Sequence, residues 1–133
     1  MSIIQWDETF SVNDDDLDSQ HKTWFGLLNR LHEAMLNADS DSLVQAKADS
    51  LKAMIEYTRF HFSTEEAFMK QIDYPGIGEH VELHRKFIEQ LNQLSDDYHA
   101  GRVLLGTKMI KFMQQWLTDH IKEEDRKYAA FLS

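Results

Sequence analysis

Residues 80–91, His80-Val81-Glu82-Leu83-His84-Arg85-Lys86-Phe87-Ile88-Glu89-Gln90-Leu91, decide the fold. His80, His84, Phe87 and Leu91 recur at steps of four, three and four, and Leu94 and Tyr98 extend the stripe. Residues three and four apart share one face of an α-helix, so the segment predicts a helix with a narrow inward seam. Gly101 ends it. Upstream, Asp73-Tyr74-Pro75-Gly76-Ile77-Gly78 is the clearest breaker in the chain. Before that breaker, Leu51, Met54, Thr58, His61, Glu65 and Phe68 or Met69 mark another helix. The first helix carries His21, Trp24, Phe25, Leu28, Leu31 and Met35, with Asp18 or Ser19 as N-cap and a turn at 37–41. The last carries Leu105, Met109, Phe112, Met113, Trp116, His120 and Ile121. No run alternates with period two for long enough to be a strand. Short connections make neighbouring helices antiparallel. The fold expected is all-α: an up-down-up-down antiparallel four-helix bundle over 17–133. An N-terminal arm over 1–16 packs Trp6, Phe10 and Val12 on it, giving a single domain over 1–133.

Composition narrows the function. The chain has 133 residues, 42% of them hydrophobic, with one proline and five glycines, which suits long helices around a proper core. A net charge of -9 argues against nucleic acid and anionic membrane surfaces as partners. There is no cysteine, so disulfides, thiolate chemistry, zinc fingers and iron–sulfur clusters are excluded. The start of the chain has neither the basic region nor the apolar run of a secretion signal, and no stretch is long enough to span a membrane. The expected location is the cytoplasm.

The inward stripes carry an uncommon load: His21, His61 with Glu65, His80 with His84, and His120 with Asp125. A single histidine on an apolar stripe is ordinarily a hydrogen-bonded core residue. Five of them on four helices, with two carboxylates, is a different matter, because burying that many ionisable groups without a cation costs several kcal/mol apiece. Their axial positions also agree. In an antiparallel bundle the start of the first and third helices meets the end of the second and fourth, and all four sets lie at that end. His32 lies too far along the first helix to join them, and His99 sits at the end of the third, where a cation complements the helix dipole. Seven ligands are too many for one ion and point to two. Imidazoles among carboxylates, with no soft donor, suit a di-iron centre best and zinc next.

These motifs resemble, in order and over essentially the whole chain, the hemerythrin family in its bacterial single-domain form. The resemblance rests on the arm (Trp6 with Ser11-Val12), Asp18-x-Gln20-His21, His61-x-x-x-Glu65, His80-x-x-x-His84 and Trp116-Leu117-x-x-His120-Ile121-x-x-x-Asp125. It implies two iron ions, cycling between Fe2+ and Fe3+, with a bridging oxo or hydroxo group. His80, His84 and His120 would hold one iron and His21 and His61 the other, with Glu65 and Asp125 bridging. One coordination position then stays open, on the iron with two histidines. One spacing resists simple helix geometry: His120 and Asp125 are five apart, more than about 100° out of line on an α-helix, whereas Glu124 is better placed. The family pattern has five, so helix loosening or a π-like turn is expected there, with Glu124 as the alternative ligand.

The function implied is reversible binding of O2, for carriage, storage or sensing, and not enzymatic turnover. The alternatives are a di-iron oxidase, a peroxide- or nitric-oxide-processing enzyme, or an iron-trafficking protein. A His-rich set donates less negative charge than glutamate-rich di-iron sites, which favours reversible binding over oxidation. Trp116, Leu117 and Ile121 flank His120 and are expected to form an apolar O2 pocket that keeps water from the iron.

Overall fold

The computed structural model describes residues 3–36, 41–101 and 107–132. Four long helical segments form an all-α bundle: α1 (Asp15–Leu36), α2 (Asp41–Gln71), α3 (Ile77–His99) and α4 (Thr107–Asp119). The last continues through one π-helical stretch, His120–Asp125, into α5 (Arg126–Leu132). α1 packs on α2 and α4, and α2 on α3. Among the described residues there is no strand, and no helix is long and apolar enough to cross a membrane. Of the anticipated turn at 37–41, residues 37–40 lie outside the described residues, as does Leu105, and Asp41 already opens α2.

α1 begins at Asp15, earlier than the expected cap at Asp18 or Ser19. The cap is Asp14, whose Oδ1 accepts the Leu17 N–H at 3.0 Å. Asp18 instead turns back on the arm, accepting from Ser11 Oγ at 2.6 Å and from the Val12 N–H at 2.9 Å. Asn29 clamps the other end of the arm, accepting the Ile3 and Ile4 N–H groups and donating to the Ile4 carbonyl. Phe10 and Val12 are buried as anticipated, and Trp6 is half-buried beside them.

Along α4 and the π turn, Met113, His120 and Ile121 are buried as expected, but the rest of the seam is shifted by one residue. Ile110, Met113, Leu117 and Ile121 are fully buried, whereas Met109, Phe112 and Trp116 lie half-buried on its flank. Both sets recur at three and four, so periodicity alone does not separate them.

The core falls into two apolar clusters. The larger contains Trp24, Leu28, Phe62, Phe87, Met113, Leu117 and Ile121, and the smaller contains Val12, Leu17, Met69, Tyr128 and Ala129. Three of the polar inward residues fall between the two clusters along the chain. His21 lies between Leu17 and Trp24, Glu65 between Phe62 and Met69, and Asp125 between Ile121 and Tyr128. A histidine–carboxylate layer therefore crosses the bundle, closed on both sides by hydrocarbon.

Candidate metal centre

All seven singled-out residues meet in this layer, buried with 0–4% of their surface exposed. The four-residue spacings of His61/Glu65 and His80/His84 put each pair on one helix face. His120 and Asp125 share a face only because the chain between them is π-helical. Closing i→i+5 turns stacks residues five apart, at the expense of weaker helix geometry. Glu124 points away, partly exposed, with its carboxylate 3.1 Å from Lys127 Nζ.

The two carboxylates divide the imidazoles in the same way. Glu65 Oε1 lies 3.1 Å from His80 Nε2 and 3.0 Å from His84 Nε2, while its Oε2 lies 3.3 Å from His61 Nε2 and 3.6 Å from His21 Nε2. Asp125 Oδ1 lies 3.0 Å from the Nε2 atoms of both His80 and His120, and its Oδ2 lies 3.2 Å from His21 Nε2. Two ligand groups result, Glu65/His80/His84/His120/Asp125 and His21/His61/Glu65/Asp125, in each of which the ligating atoms lie within 4.8 Å of one another. Each group could hold a metal ion, and both carboxylates belong to both.

The internal contacts of the layer are crowded and poorly satisfied. Both Asp125 oxygens and the Nε2 atoms of His21 and His61 are buried without a hydrogen bond, although His21 lies within ion-pair distance of Asp125, and His61 of Glu65. These contacts have the proximity of hydrogen bonds but not their geometry, so we read them as charge attraction alone. His84 Nε2 and His120 Nε2 face each other at 3.0 Å. Buried polar groups are normally satisfied, and atoms aimed at a common point without partners are the signature of a cation site. The donor set, nitrogen and carboxylate oxygen with no sulfur, fits a first-row transition metal.

Protons are the substitute when no cation is present. Burial opposes charging His21, His80 and His120, but Asp125 and Glu65 outweigh it and raise each from 6.5 to about 9. Burial pushes Glu65 and Asp125 upward, yet the surrounding imidazoles hold both below the usual carboxylate range. His61 is lowered, chiefly by burial. The raised histidines contribute stability that is fully present below pH 6.5 and lost as pH climbs through about 9. The depressed carboxylates contribute stability that is present above their ordinary range and lost as pH falls through their lowered values. His61 offsets part of the first effect. Metal-stripped protein is thus expected to melt at a lower temperature at pH 9 than at pH 6, and the metal-loaded protein to show a smaller fall. Equal melting temperatures for the stripped protein at the two pH values would refute this balance of charges.

A second ring of residues orients the imidazoles. His61 Nδ1 is 2.8 Å from Gln20 Oε1, and His84 Nδ1 is 2.8 Å from Glu66 Oε2. Tyr128, fully buried, donates to Glu65 Oε2 at 2.9 Å. Phe62 stacks on His84 at 3.7 Å and 2°, and Trp116 stacks on His120 at 4.3 Å and 11°. Trp24 lies 5.0 Å from His61, its Nε1 fixed on Thr58 Oγ1 at 2.9 Å. The sequence reading assigned no role to Gln20, Phe62, Glu66 or Tyr128. For Tyr128 a signal existed, since it lies three residues beyond Asp125 on one helical face. Leu117 and Ile121 are fully buried in the larger cluster. His32 and His99 lie outside the centre, the first half-buried on α1 and the second exposed at the end of α3.

Residues 12–132 match the family model described as the hemerythrin HHE cation binding domain. The chain belongs to the hemerythrin family. Among its relatives, the bacteriohemerythrin of Methylococcus capsulatus (strain Bath) is 29% identical over 134 residues, covering 100% of this chain and 99% of the relative. Myohemerythrin-1 of Phascolopsis gouldii is 32% identical over 123 residues, covering 92% of this chain and 89% of its own length. A crystal structure of wild-type hemerythrin superposes with a TM-score of 0.90 at 29% identity, covering 99% of both chains. The likeness to hemerythrins therefore extends over essentially the whole chain.

Proposed function

We propose that the protein is a non-haem di-iron protein that binds O2 reversibly, with His80, His84 and His120 on one iron, His21 and His61 on the other, and Glu65 and Asp125 bridging. The observation that carries this reading is the split of both carboxylates, each aiming one oxygen at each histidine group. The family membership and the hemerythrin names of the relatives support it. When bound, the two irons would supply one electron each to O2 and recover both on its release.

The chain's own residues do the rest. Three imidazoles on one side and two on the other leave the His21/His61 side with the unfilled position. Trp24 and Phe62 stand close to His61, at 5.0 and 6.1 Å between ring centres, and give that side an aromatic wall. The one polar atom of Trp24 is committed to Thr58, so it does not draw water in. Tyr128 approaches through Glu65, on the side of the smaller cluster, and its O–H is engaged there. Burial and the nearby carboxylates push that phenol well above its ordinary value, so it keeps its proton. A pocket walled by hydrocarbon and without a poised proton donor suits release of the ligand unchanged.

Elemental analysis of iron-replete protein tests the metal, and the visible spectrum of reduced protein opened to air and then degassed tests the activity. We expect two irons per chain and a charge-transfer band that appears in air and reverses on degassing. One metal per chain, or zinc throughout, would sink the di-iron reading. Irreversible bleaching with turnover would show an oxidase instead.

Leu117 and Ile121 are fully buried in the same apolar cluster as Trp24 and Phe62. Shortening Leu117 to Ala opens a cavity in the larger cluster and is expected to lower stability by about 2–4 kcal/mol. Both irons should remain, while autoxidation quickens and azide enters more readily, because water reaches the site. Wild-type autoxidation in Leu117→Ala would reduce Leu117 to packing alone.

A further inference from the structure

The two halves of the centre are supported by unlike groups. On the three-histidine side, His84 Nδ1 donates to the carboxylate of Glu66 at 2.8 Å. On the two-histidine side, His61 Nδ1 donates to the side-chain carbonyl of Gln20 at 2.8 Å, and His21 Nδ1 is buried with no partner among the described residues. The distances are equal and the charges are not. Glu66 is one-third exposed, in a groove between α2 and α3 that Arg59, Phe62 and Arg85 also line. The neighbouring guanidiniums are already engaged, Arg85 by Glu82 and Glu89 and Arg59 by Asn92. Among the described residues the only ion-pair partner of Glu66 is His84, so its charge is directed at that ring. Phe62, stacked on the same imidazole at 2°, fixes the plane of the ring that meets Glu66.

We propose that Glu66 and Gln20 make the two metal positions unequal. Glu66 sets an anionic acceptor behind His84 and makes it a stronger donor to a cation on its Nε2, whereas the neutral amide of Gln20 gives His61 no such support. An anionic hydrogen-bond acceptor behind a ligating imidazole raises its basicity and strengthens its hold on a metal, and loss of such a partner commonly weakens binding 10–100-fold. The three-histidine position accordingly fills first and more tightly, and its metal is the one better stabilised at higher charge. The two-histidine position stays the weaker and less electron-rich site. This assignment rests on the di-metal reading above, and it makes Glu66 a positioning residue that acts through His84.

The test is titration of metal-free protein with cobalt(II), followed by its visible bands, with iron-loaded protein poised at fixed potentials as the second measurement. Wild type should bind two equivalents in two resolved steps. Glu66→Gln keeps a hydrogen-bond acceptor of the same length and removes only the charge, so a role limited to holding the ring would leave the titration unchanged. We expect Glu66→Gln to weaken the tighter step by about tenfold or more. At a fixed potential the oxidised-to-reduced ratio of the iron form should fall by about tenfold, about 59 mV for a one-electron couple. Gln20→Glu should act in reverse, tightening the weaker step and raising that ratio. If both variants bind two cobalt ions with wild-type steps and wild-type potentials, the role of Glu66 and Gln20 in the inequality is refuted and the di-metal reading stands. If wild type fails to bind two metal ions, the reading itself fails and takes this inference with it. Should Glu66→Gln not fold, Gln20→Glu decides the question by itself.

Discussion

Glu65→Ala is expected to empty both halves of the centre at once. The Glu65 carboxylate lies within 3.6 Å of four imidazoles from three helices and accepts the Tyr128 hydroxyl at 2.9 Å. It is the residue on which α1, α2, α3 and the chain after the π turn converge. Removing it takes a ligand from each proposed iron and leaves a buried hydroxyl with no acceptor. Breaking a buried charge network by deleting one member typically costs about 3–5 kcal/mol, and the cavity adds to that. We expect less than half the wild-type iron per chain, together with a marked fall in melting temperature. Glu65→Gln separates the two effects: it fills the same volume and can still accept from Tyr128, but it lacks the charge to bridge. Its iron content should fall while more of its stability survives. Full iron occupancy in Glu65→Ala would remove Glu65 from the bridge.

The second large effect is a contrast between neighbours. Asp125→Ala should disturb the centre severely, whereas Glu124→Ala should leave its iron content at the wild-type value. Asp125 is completely buried, within 3.2 Å of three imidazoles and with no hydrogen bond of its own. Glu124 pairs with Lys127 at the surface, and exposed pairs of that kind contribute little to stability. Asp125→Ala also removes the group that the π turn brings inward, so the helix is free to revert to α geometry from His120 onward. Iron per chain and circular dichroism of the two variants, measured side by side, check the pair. Equal iron loss would mean that the inward assignment of Asp125 is mistaken.

Most of the centre was legible because its spacing and its axial position could be checked against each other. His61/Glu65 and His80/His84 declare one face each, and the alternation of helix direction declares which ends meet. The five-residue step from His120 to Asp125 looked like a conflict with helix geometry, and the conflict marked the π turn. What periodicity could not reveal was the pairing of residues just off the seam. Gln20 and Glu66 each stand one position from an inward residue, and their partners, His61 and His84, are on other helices. Nothing in a single helix says which neighbour a flanking side chain will meet. The start of α1 was misplaced for a related reason. Asp14, Asp15, Asp16 and Asp18 can all cap, and the choice was made by Ser11 and Val12 of the arm, which recruit Asp18 away from the helix.

The polar layer also divides the bundle mechanically. On its far side, among the described residues, only Val12, Leu17, Met69, Tyr128 and Ala129 are buried, with Phe68, Ile72, Tyr74 and Ile77 leaning on them. That cap of hydrocarbon is too small to be a folding unit, and its connection to the rest of the interior runs through the histidines and carboxylates. A cation there acts as a rivet, transmitting the cooperativity of the large cluster to the small one. Without it, amide hydrogens around Leu17, Met69 and Tyr128 should exchange through local opening well before those around Leu28, Met54 and Leu91. Loading with metal would then be read out as the moment when the whole molecule begins to unfold as one.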